Sequence, residues 1–339
     1  MFEMSNKDYQ TFTGILKLKQ KTLLRFVEKF LSNYYSKENL IIKDSFIMAK
    51  GTIPIMLIAH LDTVFEVQPS LILYDQKQHL MWSPQGLGAD DRAGVFSIIK
   101  IITKGYRPSV CFTTDEEIGG LGASDVITYF PNPITDLKYI IQLDRQGEND
   151  CVFYQCDNKD FKEYIETFGF ITAPGSYTDI SFICPKWGIA GVNLSVGYFG
   201  EHSTREMLST YYMYLTIQKI CKMLDDAKNI KASFKYIKRT TNSIFYPNIP
   251  INWDDDNDSF YGKYYHECIK CKKKVPEQDT FKINTVDNSI KYICIDCISD
   301  KHIGWCYYCG EPFELTREGE EKICPSCKAR GITLSGYGL

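Results

Sequence analysis

Five stretches of the chain carry side chains able to hold a divalent cation. The first is the apolar run 58–64, where His60 and Asp62 stand two residues apart. Side chains of a strand alternate between faces, so this pair points the same way. An imidazole beside a carboxylate suits a metal-bound histidine whose second ring nitrogen is held in place. The second stretch, 88–94, sets Asp90 and Asp91 ahead of a helix, where acids also serve as caps. In the third, 113–120, a buried strand runs into Asp115, Glu116 and Glu117. Burying such a row is costly unless a cation or a set of donors compensates, and an exposed turn is the alternative. Asp144 closes another apolar strand, and His202 follows a later one.

These residues need elements that bring them together. Apolar strands are read at 40–48, 53–59, 109–114, 139–143, 151–156 and 191–196, with a hairpin from 71–74 to 79–82. Helices are read at 17–35, 93–103, 122–130, 159–168, from 179 onward, and as a long closing helix over 203–224. Strands alternating with helices predict an α/β fold, a three-layer, mostly parallel sheet with helices on both faces. Ligands at the carboxyl ends of parallel strands converge on one crevice. Two histidines and three carboxylates there can hold two divalent ions, one carboxylate bridging, with a spare glutamate as base. Oxygen and imidazole donors suit zinc, with cobalt or manganese as alternatives.

Taken together, the motifs form a pattern. The runs 59–63, 88–94, 115–119, 142–144 and 201–202 resemble those of the di-zinc exopeptidases of clan MH, which include bacterial zinc aminopeptidases and peptidase T. The resemblance covers about residues 40 to 225, in the same order. It implies that His60 and Asp144 each serve one metal or the other, that Asp90 bridges, and that Glu117 and His202 complete the set. It further implies that Asp62 orients His60, that Glu116 is the general base, and that the Asp90–Asp91 peptide is cis. Asp90 is preferred to Asp91 because the bridging aspartate of that family lies four residues before the helix glycine, here Gly94. Many members insert a lid or dimerisation domain before the last histidine; here ordinary sheet-and-helix sequence fills that interval. The expected protein is a minimal catalytic core, with an analogue of the family's Gly-Thr-Asp loop at 175–179.

Eight of the 13 cysteines fall late in the chain as four Cys-x-x-Cys pairs: Cys268 and Cys271, Cys294 and Cys297, Cys306 and Cys309, Cys324 and Cys327. Two such knuckles complete a tetrahedral zinc site. Sequential pairing fits the spacings best, an interleaved cross-brace being the alternative, and the last two knuckles resemble a zinc ribbon. The expected organisation is a catalytic domain over 1–239, a linker over 240–263 marked by prolines and an acidic run, and a zinc module with two four-cysteine sites over 264–339.

Across 339 residues the hydrophobic content is 44% and the net charge −3, with no excess charge to draw nucleic acid or a membrane. Residues 1–10 lack the apolar core of a signal peptide, and thiols of this kind belong in a reducing compartment, so the cytoplasm is the expected location. The leading functional expectation is a dinuclear zinc metallohydrolase cutting amide bonds, an aminopeptidase with peptide substrates. The alternatives are a deacylase or amidase of N-acyl amino acids, and a non-catalytic binding protein on the same fold. The zinc module is expected to dock a protein partner.

Overall fold

In chain order the first elements are helices α1 (Asn6–Leu16) and α2 (Gln20–Leu31), then strands β1 (Leu40–Ile42), β2 (Phe46–Ala49), β3 (Ile53–His60), β4 (Leu73–Asp75) and β5 (Leu80–Trp82). Helix α3 (Ala89–Thr103), β6 (Pro108–Thr113), α4 (Leu121–Tyr129), β7 (Tyr139–Arg145), β8 (Asp150–Val152), α5 (Lys159–Glu166) and β9 (Ile171–Thr172) follow. The unit ends with α6 (Asp179–Trp187), β10 (Gly191–Ser195), β11 (Tyr198–Phe199), β12 (Met207–Ser209) and α7 (Thr210–Asp226). This computed structural model describes residues 4–239 throughout and, beyond them, 265–276, 280–284, 290–294, 297, 303–305, 312–314, 325 and 328. The chain divides into two units, Met1–Pro247 and Asn248–Leu339.

The main sheet is eight-stranded, in the order β1-β2-β6-β3-β7-β10-β8-β9. Its centre is parallel: β3 pairs with β6 and β7, and β7 with β10. The strands are apolar throughout because both faces are covered. In β3, Ile55, Leu57 and Ala59 join the core beneath α1, α2, α3 and α7, while Met56 and Ile58 join the core beneath α4 and α6. That is the expected three-layer arrangement. The parallel register sets His60 opposite Thr113, and Ile58 opposite Gln142, so three chain segments leave the sheet at one edge.

A smaller four-stranded sheet, β11-β12-β5-β4, stands apart from the main one. It accounts for the largest departure from the sequence reading. Residues 203–209 are not the start of the closing helix; β12 pairs with β11 and β5, and α7 begins at Thr210 with Ser209 as its cap. The helix expected over 17–35 shortens to α2, preceded by α1, which Ser5 caps through the Asp8 N–H. The strand expected over 40–48 folds back on itself as the β1–β2 hairpin. The strand expected over 151–156 stops at Val152, where Tyr154 takes a positive φ of 51°.

In the second unit, β13 (Tyr265–Glu267) pairs with β14 (Lys274–Pro276), and β15 (Thr280–Asn284) with β16 (Ile290–Cys294), both antiparallel. Strands β17 (Ile303–Trp305) and β18 (Pro312–Glu314) complete its four-stranded sheet. No helix among the described residues is long and apolar enough to cross a membrane.

Helix α3 lies so close to β7 that a Cβ at Gly94 would run into the Leu143 carbonyl and the Asp91 carboxylate. Gly94→Ala should therefore cost about 1–3 kcal/mol. Gly14, inside α1 with open space around it, is the control: Gly14→Ala should stabilise by about 0.5–1 kcal/mol. Urea denaturation of the two variants checks both signs.

Candidate metal centre

His60 ends β3 with its ring almost fully buried, held between carboxylates. Its Nδ1 lies 3.2 Å from Asp62 Oδ1, and its Nε2 lies 3.2 Å from Asp90 Oδ1 and 3.4 Å from Asp144 Oδ1. Asp62 is fully occupied: its Oδ1 also accepts the Glu116 N–H at 3.1 Å and its Oδ2 the Glu117 N–H at 3.0 Å. One carboxylate thus fixes both the histidine ring and the turn after β6.

Asp90 and Asp91 are joined by a cis peptide, and neither has helical backbone angles. The two side chains part company. Asp91 turns inward, accepting the His60 N–H at 3.2 Å and the Gly94 N–H at 3.0 Å, and caps α3. Asp90 turns into the cluster, with Oδ1 toward His60 and Oδ2 3.2 Å from His202 Nε2. His202 Nε2 also lies 2.9 Å from Glu117 Oε2. The donor atoms therefore fall into two groups, His60/Asp90/Asp144 and Asp90/Glu117/His202, each within 4.8 Å, with Asp90 common to both. Asp115, the first acid of its row, turns away and accepts from Gln20 Nε2 at 2.9 Å and from Thr114 Oγ1 at 2.9 Å.

Three further residues complete the surroundings. Thr178, at the head of α6, donates to Asp144 Oδ2 at 2.6 Å, while its own N–H donates to Ser181 Oγ; it is both cap and site residue. Asp179 is buried, accepting from Thr113 Oγ1 at 2.6 Å, with its other oxygen unpartnered among the described residues. Glu206, fully buried, accepts the backbone N–H groups of Gly88 and Asp90. Sequence reading missed it because it falls within the stretch expected to be the closing helix. The His202-to-Glu206 spacing within one short hairpin is the only signal it offers. Arg92, also buried, donates to the carbonyl oxygens of Asp62 at 2.6 Å and Leu18 at 3.1 Å.

Burial and crowding set the protonation of these groups. Burial pushes Asp144 up to about 6 against the pull of His60, Asp179 up to about 7 against its bond from Thr113, and Glu206 up to about 7. Burial likewise holds Glu116 well above the ordinary carboxyl range, despite nearby His60. Hydrogen bonds to Asp90 and Glu117 raise His202 to about 11. Asp144, Asp179, Glu206 and Glu116 thus hold their protons more tightly than free carboxyls, the condition a bound cation relieves, whereas the imidazoles beside Asp90 and Asp62 outweigh burial and hold those two below the usual range. Glu117 Oε1 is buried and without a hydrogen-bond partner among the described residues. An orphaned carboxyl oxygen beside a histidine and a shared carboxylate fits a divalent ion, and the donor set of imidazole and carboxylate fits zinc. A cleft of about 480 Å³ adjoins the cluster, lined by Asp62, Glu117, Lys19, Gln20, Val64 and Ile118 among others.

The chain was compared with known proteins. The aminopeptidase PepT of Bacillus cereus superposes with a TM-score of 0.51 at 14% identity, over 65% of this chain and 98% of that one. A tripeptidase of Staphylococcus aureus gives 0.51 at 14%, over 67% and 100%. A TET aminopeptidase of a marine-sediment thaumarchaeon gives 0.50 at 12%, over 67% and 100%. The fold is that of these peptidases. No family model matches the chain, and no curated protein matches it.

In the second unit the sulfurs of Cys268, Cys271, Cys294 and Cys297 lie within 4.8 Å of one another, as sequential pairing requires. Burial opposes ionisation of Cys268, yet the backbone N–H groups of Cys271, Cys294 and Lys270 bring it down to about 6. A thiolate so favoured is a ready zinc ligand. The expected second set, Cys306, Cys309, Cys324 and Cys327, lies outside the described residues.

Because Asp62 accepts from three donors, Asp62→Asn must turn an amide N–H toward one of them. Zinc uptake at the His60 group should weaken by about 10–100-fold, measured by equilibrium dialysis against the wild-type chain.

Proposed function

We propose that the chain is a dinuclear zinc metallopeptidase, an aminopeptidase that removes residues from the free amino end of peptides. The observation that carries this reading is the sharing of Asp90 between two three-residue donor groups at the carboxyl edge of a parallel sheet. His60, Asp90 and Asp144 would hold one ion, and Asp90, Glu117 and His202 the other. When bound, such a pair supplies a Lewis acid for the scissile carbonyl and lowers the pKa of a shared water.

The protein's own groups do the rest. Asp62 holds the His60 ring by Nδ1 and leaves Nε2 free to coordinate. Glu116, next to Asp62's acceptor grip and nearly buried, is the proton carrier. A carboxyl group lifted toward neutrality by burial can take a proton from water and pass it to the departing amine. Thr178 and Tyr198 donate to Asp144, on opposite oxygens, and so fix the angle at which it faces the ion. The adjoining cleft is open and large enough for a short peptide. The solved proteins that share the fold are described as aminopeptidases and a tripeptidase, which favours peptides over N-acyl amino acids as substrates.

Two further ions would sit in the cysteine module, one in the 268/271/294/297 set and one in the remaining four thiols, making a small domain whose folding depends on metal. Its part in this reading is to dock a protein partner, and its thiols suit a chain that works in the reducing cytoplasm.

Two outcomes test the proposal. Metal analysis should give about four ions per chain, two of them readily chelated together with all hydrolysis. Glu116→Gln should keep the full metal complement while turnover of aminoacyl amides falls by about two to four orders of magnitude. Activity on N-acyl amino acids but not on free-amine substrates would instead establish the deacylase, and two ions per chain without hydrolysis the binding protein.

A further inference from the structure

The hairpin formed by β11 and β12 grips Asp90 at two points. At its tip, His202 Nε2 lies 3.2 Å from Asp90 Oδ2. At its base, the buried Glu206 carboxylate takes the Asp90 N–H on Oε1 at 3.0 Å and the Gly88 N–H on Oε2 at 2.5 Å. Gly88 stands in the left-handed region, with φ at 67°, as the turn into this clamp requires. The hairpin's own ladder does not need Glu206; it is closed by Tyr198 with Leu208 and by Phe199 with Met207. A buried carboxylate is expensive, and here its two oxygens are spent on the backbone of the loop that presents Asp90.

We propose that Glu206 is the positioning residue for the bridging carboxylate: through the Gly88 and Asp90 N–H groups it sets where Asp90 stands, so both ion groups depend on it. This rests on the dinuclear reading above. The His202 imidazole touches only the second group, whereas Asp90 gives one oxygen to each. Losing the clamp therefore has a signature distinct from losing the histidine. Glutamine at this position places an amide N–H against a backbone N–H and breaks one of the two bonds, whichever way it is turned.

The test is a Co2+ titration of the full chain, stripped of its oxygen- and nitrogen-bound metal by a mild chelator that leaves the thiolate zinc in place. Uptake is followed by equilibrium dialysis and visible absorption. The wild-type chain should take up two equivalents. His202→Ala should lose one equivalent and keep the other. Glu206→Gln should weaken both equivalents, by about tenfold or more, with far-UV circular dichroism unchanged. Glu206→Asp, a carboxylate too short to reach both N–H groups, should act the same way, and it serves as the variant of record if the glutamine form does not fold. Wild-type uptake by the Glu206 variants overturns the inference. So does loss of a single equivalent as in His202→Ala, because Glu206 would then act only through the hairpin. A wild-type chain that takes up no cobalt overturns the dinuclear reading along with it.

Discussion

The structure depends on how it bears the gathering of negative charge in a dry place. Asp62, Asp90, Asp91, Glu116, Glu117, Asp144, Asp179 and Glu206 meet at one edge of the main sheet, most of them buried, against His60, His202 and Arg92. Carboxylates in such surroundings are tolerated only when each finds donors or a cation. The donors divide the acids into two kinds. Asp62, Asp91 and Glu206 are spent on backbone N–H groups, holding loops. Asp90, Asp144 and Glu117 turn toward imidazoles, with an oxygen of Glu117 left over. The first kind builds the site, and in the proposed reading the second would face the ions.

That division follows from the topology. Parallel neighbours β6, β3 and β7 end at one level, so the turns after them are next to each other without any long connection. The level is kept by close packing: Gly94 lets α3 press on the Leu143 carbonyl, and Gly122 lets α4 press on Thr114. In α6, the helix facing the other side of the sheet, Thr178 and Asp179 come down onto Asp144, Gln142 and Thr113. A sheet of ordinary core strands thus becomes a holder because its last residues, and the first residues of the helices beside it, are polar at the same height.

Much of this was legible in the sequence, for a physical reason. Buried parallel strands are continuous apolar runs, so a polar residue at the end of one stands out, and His60, Asp144 and the acids after β6 were found that way. The resemblance to a known family separated Asp90 from Asp91, which pattern alone does not do: both are acids at a helix start, and only the turn of the backbone sends one into the cluster and the other into a cap. What sequence did not disclose lay where periodicity is weak. Of the small sheet, β4 and β5 match the hairpin read at 71–74 and 79–82, but β11 and β12, two and three residues long, are too short to alternate visibly. Glu206 falls inside the stretch read as the closing helix, where nothing in the pattern marks an acid as buried. Arg92 and Asp179 were in plain view within recognised stretches, but a buried role cannot be told from a cap or a surface charge without knowing what packs on it. The 264–339 cysteines were the opposite case: their spacing speaks without any fold, and the first four do converge.

The absence of a lid insert in the sequence raised the question of what closes the site on the side away from the sheet. Part of the answer is the junction of α1 and α2, which contains no chemistry-bearing motif. Arg92, rooted in the segment that carries Asp90, donates to the Leu18 carbonyl. Gln20 forms two bonds with Asp115, its amide to the side chain at 2.9 Å and its carbonyl from the backbone N–H at 3.3 Å. Lys19 and Gln20 consequently line the cleft beside Asp62 and Glu117. The junction is tied at one end to the loop of Asp90 and at the other to the turn of Glu116 and Glu117. The wall is thus fixed to both of the segments that carry the candidate metal ligands Asp90 and Glu117. If the proposed peptidase reading holds, that makes it a fit place for contacts that choose a substrate.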